Sequence, residues 1–407
     1  MPSPYKVHIA QSMSDIGAAE WDACANPKPD APGPIAGLGS GGPNQPPRQR
    51  ERFNPFITHA FLSALETSQS ASPRAGWVAT HVVVRDSAGG LAAAAPAYLK
   101  THSMGEYVFD HAWADAYHRS GLKYYPKLQV ASPFTPVTGR RLLVAPGHGE
   151  AAREALIGGL RAWRNKIGAS SIHITFSTEE EWERLGASGF LQRTGQQFHF
   201  VNKGYADFDA FLGDLSSRKR KMIRRERKEA LASGIEIELL TGADIQEKHW
   251  DAFFLFYTDT GARKWGTPYL RRPFFSAIGA SMADRVLLVM AKRNGVYIAG
   301  AINFMGDDAL YGRNWGAIEE HPFLHFEVCY YQAIEFAISH SLSRVEAGAQ
   351  GEHKLSRGYG PVATYSAHDI PDERLARAID DYLQKERVHI DAAIEDYGEL
   401  TPFKKES

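Results

Sequence analysis

The chain has 407 residues, 43% hydrophobic and 23% charged, with a formal net charge of −1. This length supports two ordinary domains, and the composition is that of a folded globular protein, not a disordered or fibrous one. Cys24 and Cys329 are the only cysteines, which excludes a disulfide framework and a CxxC metal site, and no uncharged apolar run approaches the roughly 20 residues that span a bilayer.

At the N-terminus polar and apolar residues alternate without a continuous apolar core. That does not read as a signal peptide, so the cytoplasm is the expected location. Val7–Ala10 is expected as a short strand and Ile16–Ala23 as a short helix. From Asn26 to Gln49 proline and glycine crowd the chain, and large apolar residues are nearly absent. Such a segment cannot offset its chain entropy by burial and is expected to be a flexible insertion. Its GLGSGG run has no strand before it and no helix after it, so it is not a phosphate loop.

Order resumes at Asn54-Pro55-Phe56, with Thr58 placed to cap a helix from His59 to Ser68. From His81 the pattern is an apolar run, a Gly-bearing turn and a second apolar run. A third strand-like run, EYVFDHAWA, carries Trp113 near its end. Two prolines make Ser132–Gly139 a shaped loop. Glu150–Ile167 reads as a helix and Ile172–Phe176 as a strand.

The same succession returns from Arg285. RVLLVMAKRNGVYIAGAINFM is followed by ALYGRNWGA, a helix-like Leu324–Ser341 and a short β-rich Arg344–Ala347. Hairpin, strand, helix and strand, twice over, predict a duplicated α+β domain with the site between its halves. A last helix, Asp372–Tyr397, carries Leu375, Ala378, Ile379, Tyr382 and Leu383 on one stripe.

Between the copies, Arg218–Glu229 holds eight Lys or Arg against two Glu, with Ser216 or Ser217 as N-cap and Gly234 as stop. At about 100° per residue, Arg220, Lys221, Arg224, Arg225, Arg227 and Lys228 share one half of the cylinder. Met222, Ile223 and Ala230 fall on the other. Such a face fits phosphate capture, with Arg220, Arg224 and Lys228 as the expected contacts for tRNA, a nucleotide-linked sugar or a coenzyme. The competing reading is a solvated surface helix.

No G-x-S-x-G, H-E-x-x-H or Walker signature is present. His321 and His325 stand four apart, but Pro322 marks a helix start there, and no metal site is expected. Two places remain for chemistry. The first is Glu346–Lys354, whose glycines let the backbone approach a ligand while Glu346, Gln350, Glu352, His353 and Lys354 offer polar groups. A carboxylate or His353 would serve as general base on an amine, and Lys354 would offset negative charge. The second is the end of the third strand in each copy. There Glu106, Tyr107, Asp110, His111 and Trp113 are set against Tyr311, Arg313, Asn314 and Trp315.

Further marks are Pro96-x-Tyr98-x-Lys100, His102-Ser103-x-Gly105-Glu106-Tyr107, Tyr124-Tyr-Pro-Lys127, Pro133-Phe-Thr-Pro136, Tyr311-Gly-Arg-Asn-Trp315 and Gly348-Ala-Gln-Gly-Glu-His-Lys354. Together they resemble a FemAB-like bacterial family, tied by name to peptidoglycan biosynthesis or recognition and placed in the GNAT N-acetyltransferase superfamily. The resemblance runs from Asn54 to about Tyr382. It implies tandem duplicated GNAT-like domains with mixed sheets flanked by helices: a first domain over 1–200 (insertion 26–49), a second over 201–385, and a helix end and tail over 386–407. Similar Fem transferases move an amino acid from aminoacyl-tRNA onto the amine of a peptidoglycan precursor, and a basic segment opens their second domain. The helical hairpin arm of some Fem enzymes and the coenzyme A loop of simple GNAT enzymes have no match here.

An acyltransferase acting on an amine is therefore expected, with acyl-CoA or aminoacyl-tRNA as co-substrate, no permanently bound cofactor and no metal. Its rival is a catalytically silent protein that recognises a peptidoglycan precursor or nucleic acid. Glu346, His353, Lys354 and Tyr311 are the expected catalytic groups. Asp110, Trp113, Lys127, Arg313, Asn314, Trp315 and Gln350 are the expected substrate contacts.

Overall fold

The computed structural model describes residues 4–27, 53–264, 266, 268–348 and 351–404. Most of the expected insertion, and Gln350, lie outside the described residues. The first half opens with β1 (Lys6–Ala10), α1 (Ala18–Ala25) and α2 (His59–Thr67). As the sequence requires, Thr58 caps α2, its hydroxyl accepting from the Phe61 amide at 3.1 Å. Strands β2 (Trp77–Ala79), β3 (His81–Arg85), β4 (Leu91–Ala95) and β5 (Ala97–Lys100) follow. Then come α3 (His111–Arg119), β6 (Lys127–Val130), β7 (Leu143–Val144), α4 (Gly149–Ile167), β8 (Ile172–Ser177), α5 (Glu179–Ala187) and β9 (Leu191–Val201).

The second half begins with α6 (Phe208–Asp214), the basic helix α7 (Ser217–Ala230), β10 (Ile235–Thr241), α8 (Glu247–Lys264) and α9 (Arg272–Met282). It continues through β11 (Val286–Arg293), β12 (Val296–Met305), β13 (Ala309–Ala317), α10 (Leu324–Phe326), a π-helical turn Glu327–Tyr331 and α11 (Gln332–Ser339). Strands β14 (Arg344–Glu346) and β15 (Tyr359–Asp369) and the long α12 (Glu373–Glu399) complete it. Among the described residues no helix is long and apolar enough to cross a membrane.

Two sheets result. One has the order β1-β3-β4-β7; the other has eleven strands, β10-β11-β12-β13-β14-β9-β15-β8-β6-β5-β2. The larger sheet records the duplication. In the first half β6 runs parallel to β8, and in the second β13 runs parallel to β14. The strand that follows each pair crosses over. β9 bonds to β14, and β15 bonds to β8, each antiparallel. β9 and β15 then pair with each other from Tyr359↔Phe200 to His368↔Leu191. Each half thus gives a strand to the other, and the fold is an α+β tandem of two similar halves on one continuous sheet.

One expectation is corrected. EYVFDHAWA is not the third strand of the first half; that strand is β6, some 20 residues further on. Gly105 and Tyr107 turn the backbone through φ of +80° and +59°, which interrupts an extended run twice in three residues, and His111–Arg119 is helical. The run's aromatic alternation reflects a loop that folds Glu106 and Asp110 inward.

An aromatic core also joins the halves. Phe56, set by Asn54-Pro55, packs its ring 5.1 Å from Phe304 and 5.2 Å from Tyr311. Phe61 on α2 meets Phe274 on α9 at 5.7 Å. Helix α8 crosses β13 so closely that a Cβ on Gly316 would lie 2.2 Å from the backbone of Phe256. Overpacking of this kind costs about 1–3 kcal/mol or more. Gly316→Ala is therefore expected to lower the urea midpoint by at least that equivalent with an unchanged slope; an unchanged midpoint would show that α8 is not fixed on β13.

Candidate active site at the seam of the two halves

The seam is where β9 of the first half meets β14 of the second. β14 is only three residues long, and β13 pairs with it over Ala309–Tyr311 while running on to Ala317. Beyond Tyr311 and Glu346 the two strands part, and Gly312–Trp315 are half-buried along the notch. At Arg313 the β12–β13 register jumps from Asn303↔Gly312 to Ile302↔Asn314. Arg313 is thus the extra residue of a β-bulge, a device that re-aims a side chain.

Glu346, 3% exposed, sits opposite His199 of β9. Its Oε1 accepts from Arg344 Nε at 2.9 Å. Its Oε2 lies 3.8 Å from His199 Nε2 and has no hydrogen-bond partner among the described residues. His199 in turn approaches Gln197 Oε1 at 3.3 Å, and Gln197 donates to the Pro136 carbonyl at 2.7 Å. Burial pulls the His199 pKa down, against the opposing pull of Glu346. The Tyr311 hydroxyl accepts from Arg344 Nη2 at 3.3 Å, and burial pushes its pKa up.

Past β14 the chain turns at Gly348 and Gly351, both at positive φ, into a 3₁₀ segment, Glu352–Arg357. The Lys354 amine is buried and donates to the Gly348 carbonyl at 2.9 Å. Burial pushes its pKa down to about 8. His353 is exposed, with Nε2 at 3.0 Å from the Tyr330 hydroxyl. Trp315 packs on His325 at 5.2 Å, and His321 is turned away to Glu319 at 2.8 Å. Asn314 lies half-buried on the same strand.

Asp110, Trp113 and Lys127 come together in the first half, but in a buried network and not at a strand end. The Lys127 amine, at the start of β6, donates to Glu106 at 2.6 Å, Ser103 at 2.9 Å and Asp110. Tyr124 donates to Asp110 and lies 3.3 Å from His173, which is 2.7 Å from His368. Trp113 stacks on His173, and the Arg193 guanidinium lies 5.3 Å from the centre of the Trp113 ring. Lys100 completes the group, 3.8 Å from Glu106 and over the Trp77 ring at 3.7 Å. Burial pushes Lys100 down and Glu106 up, each to about 7. Burial would also raise Asp110, but the charge of Lys127 outweighs it and holds this carboxyl below its usual range.

The basic helix is less uniform than its wheel implies. Arg218, Lys221, Arg224, Arg225 and Lys228 are exposed, and Arg220 is half-buried. Arg224 pairs with exposed Asp209 at 2.8 Å, and Arg220 reaches Ser217 at 3.5 Å. Arg227, expected on the cationic face, is drawn inward to Glu327 at 2.9 Å and Glu335 at 2.7 Å, over the Phe208 ring. A buried carboxylate is a stronger partner than water. On the inner face Glu226 binds Arg357 at 2.8 Å, and Lys219 binds Ser356 at 2.8 Å. Helix α7 is thereby tied to the segment that carries Lys354.

Gln197 and His199 were missed as site residues. Their signal was present: in Gln196-Gln-Phe-His-Phe200 polar and aromatic residues alternate, which places Gln197 and His199 on one face of a strand. A surface cleft of about 590 Å³ lies elsewhere, lined by Glu66, Trp77, Thr80, Leu99 and Trp163, and holds none of the expected site residues.

Two similar α+β halves with exchanged strands meet at a polar seam. A family model of FemAB-like proteins, described by peptidoglycan biosynthesis/recognition, matches residues 12–405, and the chain belongs to that family. No curated protein matches it by sequence. Among solved structures it is similar to FemX, with 13% identity over 77% of this chain and 93% of that one, TM-score 0.48. It is similar to L-PGS from Bacillus licheniformis, with 9% identity over 83% and 98%, TM-score 0.49. It is also similar to a tandem GNAT protein from the clavulanic acid biosynthesis pathway, with 12% identity over 90% and 98%, TM-score 0.44.

Removing one member of a buried ion pair costs about 3–5 kcal/mol, because the remaining charge is left uncompensated. Lys127→Met strands Glu106 and Asp110 and is expected to lose stability in that range by urea denaturation. A loss below about 1 kcal/mol would mean that water reaches the network.

Proposed function

We propose that the protein transfers an aminoacyl group from aminoacyl-tRNA to an amine of a peptidoglycan precursor, in the cytoplasm, with the seam notch as its centre. The observation that carries this reading is the unpartnered Oε2 of Glu346, facing His199 beside the parting of β13 and β14. An acyl transfer needs a proton acceptor, a cation for the developing oxyanion and close orientation of two substrates. Glu346 accepts the proton as the amine nitrogen attacks the ester carbonyl. Lys354 stabilises the oxyanion that forms. Collapse makes the amide, breaks the carbon–oxygen bond to the ribose and returns the proton to the departing hydroxyl. Glu346 is favoured over His353 for this role, because the His353 ring is exposed and turned onto Tyr330.

The exposed cations of α7 favour tRNA as the donor over acyl-CoA, since a row of five suits an extended phosphate backbone. Neutralising Lys221 and Lys228 together is expected to weaken tRNA binding on the order of tenfold and to lower the salt slope by about 2. Unchanged affinity in a filter-binding titration, with acetyl-CoA stabilising the protein instead, would transfer the donor role to acyl-CoA.

Glu346→Gln is expected to lower kcat about 10²–10⁴-fold with little change in KM. Full turnover by this variant would remove Glu346 from the mechanism. The pH profile follows from Lys354. Its folded-state pKa is lowered, so the cation is present below about 8 and is lost as pH rises through that value. Single-turnover transfer, corrected for uncatalysed ester hydrolysis, is expected to fall above pH 8. Lys354→Arg keeps the charge and is expected to remove that falling limb; a limb that persists would assign it to another group.

A further inference from the structure

Arg313 has an unusual electrostatic position. Among the described residues no carboxylate pairs with it, and its one hydrogen bond runs from Nη2 to the Phe134 carbonyl at 2.7 Å. Its guanidinium lies 5.8 Å from the Phe56 ring centre. A guanidinium has five N–H donors, and although the Glu346 carboxylate lies within electrostatic reach of Arg313 it is already bonded to Arg344, so donors of Arg313 remain for a ligand. The bulge makes Arg313 an extra residue of β13, and its side chain reaches across to Phe134 and Phe56 of the first half.

Three tyrosines stand around it from both halves. Tyr269 stacks on Phe134 with ring centres 4.9 Å apart and planes at 14°. The Tyr257 hydroxyl on α8 accepts from the Leu270 amide at 3.2 Å. Tyr107, in the loop before α3, is held at positive φ and is 36% exposed. Tyr107 and Tyr257 both lie within electrostatic reach of Arg313, and Tyr107 within reach of Tyr269. Phenolic hydroxyls beside a guanidinium supply neutral donors to an anion without adding charge.

We propose that Arg313, with Tyr107, Tyr257 and Tyr269, forms a binding site for an oxyanion of the substrate, either a peptide carboxylate or a phosphate group. Assigning that group to the acceptor rests on the transferase reading; binding of the oxyanion itself does not.

The test uses the full chain and three probes in ligand-detected NMR titrations: an N-acetylated dipeptide with a free carboxylate, its C-terminal amide, and inorganic phosphate. The wild type is expected to bind the acid, the phosphate or both, with the amide at least about tenfold weaker than the acid where the acid binds. Arg313→Gln is expected to weaken the bound oxyanion by about tenfold or more, and Tyr107→Phe by about two- to tenfold. Preference for the acid identifies a peptide carboxylate, and binding of phosphate alone identifies a phosphate; either result supports the site. Acid and amide binding equally with no response to phosphate, or no oxyanion binding at millimolar concentration, would overturn it. So would wild-type affinity in both variants. If Arg313→Gln does not fold, Tyr107→Phe decides, because that side chain lies on a partly exposed loop. Oxyanion binding that survives in a protein with no transfer activity would count against the transferase reading alone.

Discussion

The reciprocal exchange of β9 and β15 is the constraint on which the rest of the molecule depends. Backbone N–H and C=O groups in the middle of a sheet must be paired, and here their partners belong to the other half. Neither half can close its own sheet. The exchange also builds the site, since it sets His199 of the first half against Glu346 of the second. A seam made by docking two finished domains would face side chains across an interface. A seam made by exchanged strands fixes them in register.

Buried charge supplies the second level of order. Glu226 and Glu327 draw in Arg357 and Arg227 respectively, and so hold the basic helix against the segment of Lys354. The π-helical turn Glu327–Tyr331 matters here. It adds a residue to the helical turn, so that Glu327, fully buried, and Tyr331 both reach α7. Buried ion pairs of this kind add little net stability over apolar packing, but they penalise any other placement of α7. The helix that would take a polyphosphate donor is thus fixed relative to the amine that would meet its acyl group.

Local structure was legible in the sequence wherever one strong local signal governed it. Thr58 capped its helix, Gly149–Ile167 and Glu373–Glu399 followed their 3.6-residue patterns, and Val286–Met305 formed its hairpin. The duplication itself was readable, but its third strand was misplaced in the first copy. Tyr107-Val-Phe109 has the alternation of a strand, and nothing local shows that Lys127 will bury Glu106 and Asp110. Arg227 was read as part of a free cationic face because Glu327, its partner, lies 100 residues away. The strand exchange was not visible for the same reason: periodicity says which residues form a strand, not which strand it joins. Glu346, Tyr311, Arg313 and Lys354 stood out as candidates by residue type beside glycines, while the placing of His199 opposite Glu346 needed the tertiary pairing.

The two copies also differ in a way that bears on why the proposed chemistry is assigned to only one of them. In each, a parallel pair of strands parts toward one end. In the first half that parting is plugged. Arg141, fully buried, donates to the carbonyls of Thr175 and Val137 at 2.9 and 2.7 Å, Gln129 donates to the Thr175 hydroxyl at 2.8 Å, and Gly139 to the Phe176 carbonyl at 3.0 Å. The loop Ser132–Gly139, shaped by its prolines, fills the space where a ligand would enter. Among the described residues of the second half no comparable loop follows β13, and the side chains at the parting are Arg313 without a paired carboxylate and Glu346 with an unpartnered oxygen. The first copy has filled its notch with its own loop, although Gln129 Oε1 and Ser177 Oγ there remain without a partner among the described residues. The second leaves its parting open to solvent-side partners, with Arg313 donors and the Glu346 oxygen facing it, and that difference in filling, more than polar satisfaction, sets the two copies apart.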